Sequence, residues 1–165
     1  MRQEFNTTGS CNPEWHYMVD TSAKLAKIED LIERGKYFTI NRARQFGKTT
    51  TLKALYRRLL DRYHVIPISF EVGGAVNDKV EDFCRNFEFK MSKAGGMTSE
   101  QSDFWLNKDK STSLEELSLK ITTYCKLQSK PVLLLIDEVD KSTNNQLFLD
   151  FLGMLRNNYL DRDIN

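Results

Sequence analysis

The chain of 165 residues has little of what several protein classes require. Its three cysteines, Cys11, Cys84 and Cys125, are odd in number and widely spaced, and they match neither a metal-ligand nor a redox pattern. The two histidines stand apart from each other and from the cysteines. Cys84 and Cys125 fit apolar helix positions instead. The formal net charge is only +1, so the chain as a whole offers no electrostatic case for nucleic acid as a partner. Long apolar runs are also missing. The longest is far too short to cross a bilayer, and the start Met-Arg-Gln-Glu-Phe-Asn has no apolar signal segment. A cytoplasmic protein with no membrane partner is the expectation. Internal repeats and low-complexity segments are absent. What the chain does have is 40% apolar and 11% aromatic residues, enough for one sizeable core.

Two segments carry chemistry. In the first, Lys36 to Ile40 reads Lys-Tyr-Phe-Thr-Ile, a short strand of β-formers. Beyond Gly47-Lys48-Thr49-Thr50, Leu52, Leu55, Leu59 and Leu60 fall at a helical period. Asn41 to Lys48 is therefore a strand-to-helix turn. A helix N-terminus presents N–H groups and the positive end of the dipole, which suits a phosphate. Gly47 permits the close backbone approach that a side chain would block. Lys48 would then reach the β/γ-phosphates of a nucleotide, and the Thr49 hydroxyl would ligate Mg2+. Arg44, Gln45, Phe46, Gly47, Lys48, Thr49 and Thr50 make up the expected binding loop, in which the Thr50 hydroxyl, like that of Thr51 beside it, has a less definite role. One departure stands out: Arg42 occupies the place, five residues before Gly47, where the phosphate-loop pattern has a glycine. Arg42 and Arg44 either add charge near the phosphates or pair with solvent or carboxylates.

The second segment, Pro131 to Asp137, is a near-continuous apolar run. It fits a strand of a parallel sheet covered on both faces. Asp137 would lie at the carboxyl end of that strand, where open α/β sheets bind ligands, and could hold Mg2+ through water. Glu138 points elsewhere and could orient or deprotonate an attacking water. Each half has a bland reading: a basic turn before a helix, and a buried strand ending on solvated acids. The pair in this order, about ninety residues apart, argues for a P-loop NTPase core.

Around these segments the pattern predicts an N-terminal arm over 1–20 and one domain over 21–165. Thr21 or Ser22 caps a helix carrying Leu25, Ile28, Leu31 and Ile32, with Gly35 near its end. A helix over Lys48–Arg62 follows, then a strand over His64–Phe70 in which Pro67 argues for an edge or a distortion. Asp78–Lys93 is helical, with Val80, Phe83, Cys84, Phe87 and Met91 on one face. Met97–Thr112 reads as a polar loop, either a lid or partner-binding loop or, the favoured reading, a loop whose Phe104 and Trp105 tuck onto the core. Ser113 and Glu116 form a capping box for a helix through Leu114, Leu117, Ile121 and Tyr124. Asn145–Tyr159 carries a broad apolar face. The alternation predicts an α/β fold, a three-layer αβα P-loop NTPase with a mainly parallel sheet, incomplete at the C-terminus.

Asn6-Thr7-Thr8-Gly9, Pro13, His16 to Asp20, Thr39 to Thr50 and Leu135 to Asp140 together resemble the bacterial AAA-like ATPase family. The Arg-x-Arg-Gln-x-Gly-Lys-Thr loop is the most specific part of the likeness, and a basic loop without the first glycine is usual in that family. The resemblance implies an ATP-binding domain of the additional-strand-catalytic-glutamate type, with ATP and Mg2+ as cofactors. It implies adenine contacts near Tyr17, Met18 or Val19. Members of that family are often joined to a C-terminal restriction-endonuclease-like nuclease domain, so a longer parent could carry one, and a homo-oligomer is a separate expectation. In that class a further strand inserts between the phosphate-loop strand and the acidic strand; its absence here would leave unpaired edges prone to self-association. Three functions follow: a magnesium-dependent ATPase, a nucleotide-gated interaction module with little hydrolysis, or the ATPase part of a nuclease-associated protein acting on nucleic acid. Glu138 and Lys48 are the expected catalytic residues, and Thr49 and Asp137 the expected metal ligands.

Overall fold

The computed structural model describes residues 4–5, 14–17, 19–40, 47–70, 79–138 and 145–161. It divides into two compact units, Met1–Leu59 and Leu60–Asn165. Among the described residues there are six helices and one parallel sheet of two strands, an α/β composition.

In the first unit, helix α1 (Ser22–Glu33) packs against helix α2 (Lys48–Leu59). Leu25, Ile28 and Ile32 recur at the helical period and are buried, as are Thr51, Leu55 and Leu59 of α2. Leu31, expected on the same face, is 37% exposed. Thr21 occupies the N-cap of α1 but its hydroxyl caps nothing; Asp20 Oδ1 accepts the Ser22 N–H at 2.9 Å in its place. Gly35 ends the helix at φ 55°. Its N–H donates to the Ile32 carbonyl (2.8 Å), and the Lys36 N–H donates to Leu31 (2.9 Å), a Schellman closure. Across the helix pair, Arg58 Nε meets the Glu29 carboxylate at 2.6 Å.

Two expectations for this unit need correction. Helix α2 ends at Leu59 rather than Arg62, and the chain turns at once. Lys36–Ile40 does not form a strand. Its β-formers favour an extended backbone, but a strand exists only where a neighbouring edge takes its N–H and C=O groups. No described residue pairs with this segment in a ladder.

In the second unit, strands β1 (His64–Ser69) and β2 (Val132–Asp137) pair in parallel, with His64 opposite Val132 and Ser69 opposite Asp137. The His64 N–H donates to Pro131 (2.9 Å) and the Phe70 N–H to Asp137 (3.1 Å). Backbone direction alternates along a strand, so residues 64, 66, 68 and 70 face β2 while Pro67 and Ser69 face away. Pro67, which has no N–H, therefore sits where no ladder bond with β2 is lost. Among the described residues β1 is an edge strand, as one of the two expectations for Pro67 has it. The two-sided cover expected for β2 does not hold: Leu135 is buried and the other residues of the strand are half-buried.

Helices α3 (Val80–Ser92), α5 (Leu114–Lys126) and α6 (Asn145–Leu160) supply most of the core around this sheet. Phe70, Phe83, Phe87 and Phe151 make a chain of ring contacts, with centroids 4.9–6.3 Å apart. Trp105 and Tyr124 extend it. Val80, expected on the core face of α3, is 39% exposed. The stretch read as a polar loop contains an eight-residue helix, α4 (Ser99–Leu106). Thr98 and Gln101 close a reciprocal capping box at its start, and Trp105 is fully buried as expected.

The cap of α5 also differs in detail. Ser113 Oγ accepts the Glu116 N–H (3.2 Å), but the Glu116 carboxylate reaches the Thr112 N–H and hydroxyl, one residue further back. On α3, Glu88 is fully buried. It accepts from the Ser111 N–H (3.0 Å) and hydroxyl (2.7 Å), with Lys120 Nζ at 3.1 Å and Lys110 Nζ at 3.5 Å. This carboxylate ties the α4–α5 connection to α3, satisfying the rule that a buried charge be paired.

Candidate functional site

The expected site has one half in each unit, and each is described within its own unit. In the first, Gly47 precedes α2 at φ 71°. A Cβ at Gly47 would meet no atom within 4 Å, so the left-handed backbone, rather than lack of space, favours glycine here. The first bond of the helix ladder runs from the Thr51 N–H to the Gly47 carbonyl (2.9 Å). The amides of Lys48, Thr49 and Thr50 lie ahead of that bond, in the turn where the helix dipole is most positive. Lys48 and Thr50 are half-buried and Thr49 is exposed. Arg42, Arg44, Gln45 and Phe46 lie outside the described residues, as do Asn6-Thr7-Thr8-Gly9, Pro13 and Met18.

Sequence reasoning gave Thr51 only an indefinite role and overlooked Lys24. The Thr51 hydroxyl is buried, donates to the Gly47 carbonyl (2.8 Å) and accepts from Lys24 Nζ (2.7 Å). Lys24 of α1 thus fixes, through Thr51, the carbonyl immediately before Lys48. Thr51 was detectable, because it shares the buried helical row with Leu55 and Leu59. Lys24 was not, since its partner lies 27 residues away. Beside it, Ala23, Lys24, Lys27, Ile28 and Leu31 of α1, with Phe38, Thr39 and Ile40, line an open groove of about 420 Å³. Tyr17 and Val19, expected near a base, are exposed; the Tyr17 ring lies 5.0 Å from that of Phe5.

In the second unit, Asp137 ends β2 and Glu138 follows at the carboxyl end of the parallel pair. Asp137 Oδ1 accepts the Glu138 N–H at 2.9 Å. Glu138 adopts φ 57°, a left-handed conformation that costs a non-glycine residue about 1–2 kcal/mol. Both residues are half-buried. Val139, Asp140 and Lys141 lie outside the described residues.

Among the described residues, no group of three or more His, Cys, Asp or Glu side chains could hold a metal ion. A magnesium site of the kind expected needs less. Mg2+ takes hard oxygen donors, retains waters, and is held by one or two carboxylates with phosphate oxygens. A threonine hydroxyl and an aspartate carboxylate fit that donor chemistry. No described helix is long and apolar enough to cross a membrane.

The first unit thus has a glycine-entered helix bearing lysine and threonine, and the second a parallel strand ending on two successive acidic residues. Residues 9–164 match the AAA-like domain family, and the chain belongs to it. This membership gives it a nucleotide-binding, ATPase-like character. No curated protein and no solved structure matches the chain.

Proposed function

We propose that this chain binds ATP with Mg2+ and hydrolyses it, as a three-layer P-loop domain over 21–165 preceded by an arm over 1–20. The observation that carries the reading is the entry to α2, where Gly47 at φ 71° leads directly into Lys48 and Thr49 at the positive end of the helix. Lys48 neutralises phosphate charge, and residues 44–50 form the cradle around it. Thr49 and Asp137 would hold Mg2+, which when bound would supply charge neutralisation at the phosphate oxygens. Glu138 orients the attacking water and takes its proton. Positioning and electrostatics supply most of the rate in such chemistry. An ATP requirement also supports a cytoplasmic location.

Calorimetric titration of the folded wild type with magnesium-ATP tests the reading, with Lys48→Ala and Glu138→Gln beside it. Lys48→Ala should weaken binding by about 10- to 100-fold, the value of charge-assisted hydrogen bonds to phosphate. Glu138→Gln should keep the affinity and lose about 10²- to 10⁴-fold in turnover. Failure of the folded wild type to bind would refute the site. Binding with no wild-type turnover would replace the ATPase by a nucleotide-gated module.

A further inference from the structure

Lys90 of helix α3 reaches the carboxyl end of β1. Lys90 Nζ donates to the Ser69 carbonyl at 2.8 Å and lies 5.9 Å from the centre of the Phe70 ring. The alternation along β1 puts the Ser69 carbonyl on the side away from β2. Phe70, the next residue, is gripped by Phe83 of α3 (6.0 Å) and by Phe148 and Phe151 of α6 (5.0 and 6.3 Å). The Phe70 amide holds the Asp137 carbonyl at 3.1 Å. The Asp137 carboxylate in turn holds the Glu138 amide at 2.9 Å. An unbroken series of contacts thus joins Lys90 to the left-handed turn at Glu138.

We propose that Lys90 is a positioning residue for the Asp137–Glu138 pair. By capping the Ser69 carbonyl and covering the Phe70 ring, it fixes the end of β1 to which the turn at Glu138 is bonded. The catalytic part of this inference rests on the reading of Asp137 and Glu138 given above. A lysine that served only general stability would, when removed, loosen both strands alike. A positioning lysine acts locally, on the residues bonded in series to it.

Lys90→Met, which keeps the apolar stem, and Lys90→Arg, which keeps the charged donor, separate these roles. In the nucleotide-free protein, amide hydrogen exchange should quicken about ten-fold at Phe70 and Glu138 in Lys90→Met, the size of one lost charge-assisted hydrogen bond. The amides of Val65 and Ile66 should keep their wild-type rates, and Lys90→Arg should restore Phe70 and Glu138. With magnesium-ATP, kcat of Lys90→Met should fall about ten-fold at unchanged KM. Unchanged exchange at Phe70 and Glu138, or equal quickening along the whole of β1, would overturn the proposal. So would a wild-type kcat in Lys90→Met. If the folded wild type fails to bind magnesium-ATP, the nucleotide reading alone falls, and the exchange experiment still decides whether Lys90 sets the pair.

Discussion

Two glycines with equal room for a side chain should respond oppositely to alanine. A Cβ at Gly47 or at Gly153 would meet no atom within 4 Å, so neither substitution creates a clash. They differ in backbone: Gly47 sits at φ 71°, whereas Gly153 lies inside α6 without a positive φ. Holding alanine in the left-handed region costs about 1–2 kcal/mol. Roughly 0.4–1 kcal/mol returns because alanine restricts the unfolded chain. Gly47→Ala should therefore destabilise the first unit by about 1 kcal/mol. Gly153→Ala gains the full helix preference of alanine and should stabilise the second unit by about 1 kcal/mol. Urea unfolding followed by circular dichroism measures both. Trp105 fluorescence in a Trp15→Phe background reports the second unit alone, because Trp105 is fully buried there. For a chain of this size 1 kcal/mol corresponds to about 2–4 °C in Tm. A stabilised Gly47→Ala, or a destabilised Gly153→Ala, would refute the reasoning, since the sign in each case rests on φ alone.

Other perturbations address the buried charges. Glu88→Gln leaves Lys110 and Lys120 facing a neutral amide and should cost about 2–4 kcal/mol, seen as a lower urea midpoint at pH 7. The pH dependence has two windows. Burial alone would raise the Glu88 pKa, but the Ser111 hydroxyl and amide and the Lys120 ammonium outweigh it and hold the carboxyl below its ordinary 4.5. The stability it supplies is therefore full above 4.5 and lost as pH falls through the folded value. Burial, then the Lys130 charge, hold the His64 imidazole below its ordinary 6.5. Its neutral ring shares a 2.8 Å hydrogen bond with the Tyr124 hydroxyl, whose own pKa burial pushes up to about 12. Stability linked to His64 is likewise full above 6.5 and falls as the ring is forced to protonate below it. Urea midpoints from pH 8 to 3 should show both declines. His64→Phe should flatten the upper one and Glu88→Gln the lower one, and a wild-type midpoint constant over that range would contradict both assignments.

The parts that could be read directly from the chain are those whose causes act within a few residues. The apolar period placed α1, α2, α3, α5 and α6 to within a turn, because burial of one helix face repeats every three to four positions. β1 and β2 announced themselves as short runs of β-branched and apolar residues. Gly47, Lys48 and Thr49 at a helix start, and two acids after an apolar strand, were visible for the same reason. Helix α4 could have been found from Thr98 and Gln101, whose capping box was hidden by the polar composition around it. The family likeness, too, was a matter of residues in order.

The tertiary structure decided everything that depends on a distant partner. Lys36–Ile40 has the composition of a strand and is not one, because pairing belongs to two segments rather than one. The burial of Glu88 depends on Ser111, 23 residues away, and the fixing of the Gly47 carbonyl depends on Lys24, 27 residues from Thr51. Lys90 finds the Ser69 carbonyl across 21 residues. Helical period and capping are written locally, since each is satisfied inside a turn or two. Charge pairing, strand pairing and the aim of a carboxylate are settled only when the chain has folded back on itself, because until then water meets those groups equally well.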